Sequence, residues 1–104
     1  MRIFSTFFLG AAASVILAST PASASGAISC KAGPQSGWKS PQILTTKLTK
    51  EGWVVRKSKV DNGCYEVYGT TPEGNRVEAY FHPVTLEKLY VARRGKVLFR
   101  RDGY

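Results

Sequence analysis

The sequence contains few of the residues that build most catalytic and metal sites. Its 104 residues include one histidine, His82, and two cysteines, Cys30 and Cys64. The cysteines do not form a Cys-x-x-Cys pair, and one histidine cannot complete a four-ligand zinc site. The glycines are scattered and match no phosphate-binding loop. We therefore expect no catalytic residues, no metal site and no cofactor, and a protein that is not an enzyme.

Two weaker interpretations of the polar residues remain. His82 could act as a general base, but it precedes Pro83 at a strand end with no serine or cysteine nucleophile suggested nearby, which is typical of a turn residue. Glu66 and Glu78 could form a glycosidase-like carboxylate pair. Both alternate with apolar residues, and Glu66 has Lys59 as a cross-strand partner, which favours solvated carboxylates.

Residues 1–24 have the composition of a signal peptide. Arg2 supplies a positive charge, residues 3–18 are largely apolar, and Ala22-Ser23-Ala24 has the small-x-small pattern read by signal peptidase. The apolar run is shorter than the roughly 20 residues that span a bilayer, which disfavours a membrane anchor. We expect cleavage after residue 24, a periplasmic or secreted mature chain, and no membrane span in it.

Two cysteines in an exported chain predict a disulfide between Cys30 and Cys64. A domain this small buries only about 60% of its unfolded surface and is marginal without a covalent tie. Closing this loop should stabilise the fold by roughly 4 kcal/mol. A redox or metal-binding thiol pair is the alternative, which the spacing disfavours.

A helix is predicted from Pro41 to about Glu51. Ser40 suits the N-cap, Pro41 suits the first helical position, and Gly52 suits the residue after the C-cap. The predicted apolar stripe consists of Ile43, Leu44 and Leu48.

A tight hairpin turn is predicted at Asn62-Gly63, because this dipeptide readily supplies two positive φ angles. The resulting register places these residues opposite one another: Asp61 and Cys64, Val60 and Tyr65, Lys59 and Glu66, Lys57 and Tyr68. The opposite charges of Lys59 and Glu66 agree with this register.

Further strands are predicted over residues 76–82, 86–92 and 97–99, the last at an edge. In the first of them Val77, Ala79 and Phe81 alternate with Arg76, Glu78 and Tyr80, which predicts one buried and one solvated face. The predicted class is α+β, with one N-terminal helix packed on an antiparallel sheet of four or five strands. The predicted domain covers residues 38–104, after an irregular arm over residues 25–37.

Several segments together suggest a known family. They are a helix opened by Ser-Pro and closed by Gly, a strand rich in Val and Lys, Asn-Gly-Cys-Tyr-Glu-Val-Tyr at residues 62–68, and Gly-Asn-Arg-Val-Glu-Ala-Tyr-Phe at residues 74–81. In these segments the chain resembles a PepSY domain, and more narrowly the small exported single-domain PepSY proteins of Gram-negative bacteria.

The resemblance implies a helix on an antiparallel sheet and a non-catalytic role in binding or restraining a protease, since PepSY domains occur in propeptides of secreted metalloproteases. The family commonly has Asp-Pro-x-Thr-Gly where this chain has His-Pro-Val-Thr-Leu at residues 82–86. Losing the glycine removes an easy positive φ, so we expect this turn to be built differently.

The chain carries 15 basic and seven acidic side chains, a net charge of +8. Residues 88–104 alone hold six basic side chains and one acidic. The candidate binding residues are five of these cations and two tyrosines: Tyr90, Arg93, Arg94, Lys96, Arg100, Arg101 and Tyr104. A solvated basic surface is the plainer interpretation of the same residues.

Two functions follow as hypotheses. The first is a periplasmic protein-binding module, with a protease as the implied partner. The second is an electrostatic binder of the anionic envelope surface or of acidic glycans. Nucleic acid is not an expected partner of an exported protein, and the sequence does not indicate an oligomeric state.

Overall fold

The computed structural model describes residues 26–104. The elements in chain order are a 3-10 turn Gln35–Gly37, α1 Pro41–Lys50, β1 Val54–Asp61, β2 Cys64–Thr70, β3 Arg76–Phe81, β4 Lys88–Arg93 and β5 Lys96–Arg100. The five strands form one antiparallel sheet in the order β1-β2-β3-β4-β5. The prediction of one helix packed on an antiparallel sheet, with one disulfide, is confirmed. The predicted signal peptide, residues 1–24, lies outside the described residues.

Helix α1 begins and ends where the sequence predicts. The Ser40 side chain accepts a hydrogen bond from the Ile43 amide, and Gly52 follows the C-cap with φ of 99°. Leu44 and Leu48 are each 1% exposed. The predicted apolar stripe is wrong at Ile43, which is 51% exposed because its side of the helix points away from the sheet.

The hairpin between β1 and β2 has the predicted register at all four predicted pairs. Asn62 and Gly63 take φ of 54° and 81°, as a two-residue turn of this type requires. A side chain at residue 63 would also collide with the Cys30 carbonyl, which lies against the turn. Glycine is therefore needed there for two separate reasons.

One side of the sheet, the helix face, carries the larger core. Leu44 and Leu48 of α1 belong to a cluster of buried side chains that also contains Trp53, Tyr65, Val67, Val77, Ala79, Phe81, Leu86 and Val91. Each aliphatic or aromatic side chain buried here contributes about 1.5–3 kcal/mol.

The arm, residues 26–37, covers part of the opposite side, the arm face. Its Ile28 and Cys30 are buried in a cluster with Cys64, Tyr80, Leu89, Tyr90 and Ala92. The predicted disulfide joins Cys30 to Cys64, with Cα atoms 5.1 Å apart. This bond ties the arm to the first residue of β2.

Hydrogen bonds hold the arm on both sides of the disulfide. The Asn62 side-chain amide donates to the Ile28 carbonyl at 3.1 Å, and the Cys30 amide donates to the Asn62 carbonyl at 3.0 Å. The Gly26 amide donates to Asp61 Oδ2 at 2.7 Å. The arm therefore stays in contact with the hairpin turn as far as the first described residue.

The arm overturns one prediction about β3. Tyr80, predicted to face solvent, is 0% exposed, and its hydroxyl donates to Asp61 Oδ2 at 2.8 Å. Its ring packs edge-on against Tyr90, with centroids 5.7 Å apart. The alternation of residues in β3 correctly predicts that Tyr80 does not lie on the helix face. It does not predict that the arm buries Tyr80 on the arm face.

The turn between β3 and β4 keeps a positive φ without a glycine. Leu86 has φ of 65° and is 5% exposed within the helix-face cluster. The left-handed conformation costs a non-glycine residue about 1–2 kcal/mol, which the buried leucine side chain offsets. The expectation of a differently built turn is thus wrong for the backbone, because residue 86 keeps the positive φ that a glycine would adopt. Only the side chain differs, since leucine stands where the family commonly has glycine.

Both edge strands contain one residue without a partner in the register. These residues are Arg56 in β1, between Val55 and Lys57, and Leu98 in β5, between Val97 and Phe99. Each is a β-bulge, which bends its strand and changes where neighbouring side chains point.

Candidate binding surface

The predicted cations lie on the β4–β5 hairpin in two groups. Arg93, Arg94 and Lys96 form the turn group, and Arg100 and Arg101 form the end group. At about 3.3 Å of rise per residue, Lys96 and Arg100 are roughly 13 Å apart along β5. The predicted basic patch is therefore two smaller patches at opposite ends of one hairpin.

The turn group is built by a two-residue turn. Arg94 and Gly95 take φ of 51° and 80°, and Arg93 pairs directly with Lys96 across the hairpin. Like charges placed opposite each other are destabilising. Arg93 donates to Asn75 Oδ1 at 3.2 Å, which does not neutralise its charge. The turn group is thus a concentration of exposed positive charge.

The end group is occupied by contacts within the domain. The Arg100 guanidinium lies over the Tyr90 ring, 5.1 Å from its centroid, and donates to the Tyr104 carbonyl at 2.9 Å. Arg101 donates to the Lys88 carbonyl at 2.9 Å. Tyr90 itself is 6% exposed on the arm face. These contacts fix the C-terminal residues against the sheet.

A groove that the sequence did not predict lies beside the turn group. It has a volume of about 510 Å³ on the helix face, between the C-terminal end of α1, the β2–β3 turn and the β4–β5 hairpin. Its apolar lining is Trp53, Val91, Leu98 and Phe99, and its polar lining includes Glu51, Glu73, Asn75 and Lys88.

The bulge in β5 makes one wall of this groove. Phe99 pairs with Val91 and belongs with the helix-face core, while Val97 pairs with Ala92 of the arm-face cluster. Leu98, inserted between them, joins Phe99 in lining the groove and is 46% exposed. The sequence indicates this bulge by three consecutive apolar residues, 97–99, because a regular strand cannot place three consecutive side chains on one face.

Glu66 lies at the centre of the arm face and is not the solvated carboxylate that alternation predicted. It is 0% exposed, and the polar groups that favour its ionised form are the Tyr68 hydroxyl, through a hydrogen bond, and the Lys59 ammonium. Lys59 Nζ lies 3.6 Å from Glu66 Oε1, across the predicted register pair. This ammonium group, which is 37% exposed, supplies the counter-charge for the buried carboxylate.

Burial raises the pKa of the Glu66 carboxyl above its usual value. Tyr68 and Lys59 oppose this rise. The nearby carboxylates of Asp61 and Glu78 add to it. Glu66 is accordingly a source of pH-dependent stability, buried too deeply to contact a substrate.

His82 serves the turn that follows β3. Its Nδ1 accepts hydrogen bonds from the Val84 amide at 3.1 Å and the Thr85 amide at 3.4 Å. The His82 amide itself donates to the Glu87 carbonyl at 2.9 Å. The side chain thus caps a turn, as expected of a residue that precedes proline.

Residues 26–104 contain no group of three or more His, Cys, Asp or Glu side chains placed to hold a metal ion. Within the same range, no helix is long and apolar enough to cross a membrane. The disulfide is compatible with an oxidising compartment.

The sequence matches the PepSY family model, described as peptidase propeptide and YPEB domain, over residues 8–90. The chain belongs to the PepSY family. The matched range ends at Tyr90 inside β4, so Leu98, Phe99 and the turn group of this PepSY protein lie beyond it. No curated protein and no solved structure matches the chain.

Proposed function

We propose that this PepSY protein is a non-catalytic binding module that acts in the periplasm and restrains a protease. The observation that carries the proposal is the match to a peptidase-propeptide family over most of the chain. In this proposal residues 1–24 are a signal peptide that is removed. Residues 25–37 then form the arm, and residues 38–104 form a domain with the PepSY-type fold.

The side chains that could have suggested catalysis have other roles in the domain. His82 Nδ1 already accepts two backbone amides of its own turn. Glu66 is fully buried. These observations support binding over catalysis, and the exposed turn group and the groove supply a surface for it.

Capture from a periplasmic extract tests the proposal. The full chain is produced with its own leader in a Gram-negative host, purified from the periplasm, immobilised, and incubated with extract at low and moderate salt. We expect a protein retained at both salt concentrations, with a protease among the proteins found by mass spectrometry. The purified chain should then slow casein hydrolysis by that protease.

Two results would contradict this function. One is recovery of no protein above the level seen with an unrelated exported domain. The other is capture of a protease whose activity is unchanged at saturating amounts of the chain.

A second candidate is binding to the anionic envelope surface or to acidic glycans. The like-charged pair of Arg93 and Lys96, next to Arg94, favours it. It predicts retention on an anionic resin that falls steeply with salt. Retention should be lost when Arg93, Arg94, Arg100 and Arg101 are changed to Ser, and kept when Lys57 and Lys59 are changed instead. If both variants lose retention equally, the retention depends on the net charge of the protein and not on a binding site at these four arginines.

A further inference from the structure

The groove on the helix face is lined by the buried side chains of Trp53 and Val91 and by apolar surface of Leu98 and Phe99 that residues 26–104 leave uncovered. Glu51, the C-cap residue of α1, lies at the helix side of the groove, and Leu98 and Phe99 of β5 lie at its hairpin side. Leu98 remains 46% exposed beside the half-buried Phe99, and Trp53 and Val91 form part of the same lining. A concave apolar surface with a few polar groups at its rim is typical of a site that receives a side chain of a partner.

The charges around the groove are unequal. On the hairpin side lies Lys88, whose Nζ is 4.6 Å from the centroid of the Phe99 ring. The turn group lies outside the lining and reaches its rim through the hydrogen bond from Arg93 to Asn75. On the opposite side lie Glu51 and Glu73. The Glu51 carboxylate is already paired with Lys47 at 2.6 Å. The surroundings of the groove are therefore positive, which is complementary to an acidic partner.

We propose that the β4–β5 groove is a docking site for an acidic, extended polypeptide segment of a partner protein. One apolar side chain of the segment fills the space between Leu98 and Trp53. Its flanking carboxylates meet Lys88 and the turn group. This inference rests on the proposed protein-binding function and adds the place of contact and the chemistry of the partner.

An anionic lipid or glycan surface fits the same region less well. The concave shape suits a single side chain better than a flat surface. The end group could not assist, because Arg100 lies over the Tyr90 ring on the arm face. Arg101 donates to the Lys88 carbonyl and pairs with Glu87.

The site can be tested with a library of random peptides displayed on phage, selected on the immobilised full chain after export. We expect enriched peptides with one Leu, Ile, Phe or Met next to several Asp or Glu residues. The most enriched peptide is then synthesised with a fluorescent label, and its affinity is measured by anisotropy.

Variants assign the binding to the groove. Leu98→Ser should weaken binding of the labelled peptide by about tenfold or more, which corresponds to a loss of about 1.4 kcal/mol. Val60→Ser is the matched control, because Val60 is also an exposed apolar residue, 48% exposed, but on the other edge strand. It should leave affinity unchanged. The double change Arg93→Ser and Lys96→Ser should weaken binding and reduce its salt dependence.

Three outcomes would overturn the docking site. They are no enrichment, enrichment of basic peptides, or equal affinity of the Leu98→Ser and Val60→Ser variants. Binding to phosphatidylglycerol vesicles that is lost in the double variant and kept in Leu98→Ser would also overturn it, in favour of an anionic surface. If extract capture succeeds equally with Leu98→Ser, the proposed function stands and the groove is not its site.

Discussion

On the helix face of the sheet, Leu44 and Leu48 cover an apolar surface with ordinary hydrophobic packing. On the arm face, an irregular segment packs over Tyr80 and Tyr90, and it is held by one disulfide and a few hydrogen bonds. The alternating residues of the strands give the sheet two partly apolar faces. The side chains of α1 bury the helix face by packing alone, without a covalent bond. The arm face depends on a covalent tie and tolerates a charged group, Glu66, at its centre.

This difference means that the two faces should respond to different perturbations. The helix face should be sensitive to the volume of its side chains. The arm face should be sensitive to redox state and pH. Changes to the two faces test that contrast, and the largest effect is expected from loss of the disulfide.

Removing the disulfide should detach the arm. The double change Cys30→Ala and Cys64→Ala should lower the free energy of unfolding by about 4 kcal/mol, because the bond closes a long loop. Urea denaturation followed by tryptophan fluorescence measures this loss. A reducing agent should destabilise the wild type and leave the double variant unaffected; equal stability of oxidised and reduced wild type would refute the role of the bond.

Truncation on the helix face should depend on which side of α1 is changed. Leu48→Ala should cost about 3 kcal/mol, through lost burial and the cavity left behind. Ile43→Ala, at the exposed position that the sequence predicted to be buried, should change stability by less than about 0.5 kcal/mol. Similar losses in the two variants would place Ile43 in the core after all.

Glu66 should make stability fall as pH rises. Because burial raises the pKa of Glu66 in the folded state, the folded chain holds this proton more tightly than the unfolded chain does. The stabilisation is complete below the ordinary value of 4.5 and is lost as pH rises through the raised pKa. Glu66→Gln should remove this contribution and stabilise the protein at neutral pH.

The measurement for Glu66 is the difference in unfolding free energy between the wild type and Glu66→Gln across this pH range. Taking the difference cancels the other carboxylates. Glu87→Gln, an exposed position, is the matched control and should show no such trend. A difference that is constant with pH would contradict a raised pKa.

The hydrogen bond between Tyr80 and Asp61 should contribute less. Tyr80→Phe keeps the ring on the arm face and removes the donor, which should cost about 1 kcal/mol. In a double-mutant cycle, adding Asp61→Asn should cost less in the Tyr80→Phe background than in the wild type. Independent, additive losses would show that the two groups do not interact.

A loss as small as that of Tyr80→Phe is expected at Leu86. Leu86→Gly loses buried apolar surface and gains an unstrained positive φ, so the two contributions oppose each other. We expect a loss of about 1 kcal/mol, well below that of Leu48→Ala. A loss as large as at Leu48 would mean that the positive φ of Leu86 carries no strain.

The sequence predicted what local chemistry determines. Asn62-Gly63 determined the turn and hence the register, because a two-residue loop allows one pairing. Ser40, Pro41 and Gly52 determined the ends of α1. The segments that resemble a PepSY domain, residues 62–68 and 74–81, lie within the range that matches the family model.

Burial on the arm face could not be predicted in this way. Tyr80 and Glu66 were expected to face solvent because alternation shows which side chains share a face but not what covers that face. The cover is a segment more than 30 residues away, and only the cysteine pair hinted at it. The groove was missed because it depends on the bulge at Leu98, which shifts the alternation within β5.

The bulges in the two edge strands also affect how copies of the protein interact at high concentration. An open sheet ends in two strands whose outer amide and carbonyl groups can recruit a strand from another molecule. Here each of those strands is bent by one inserted residue, Arg56 or Leu98, so neither offers a straight template. Edge-to-edge polymerisation is thereby disfavoured, and the residue that shapes the groove also helps to keep copies of the chain apart.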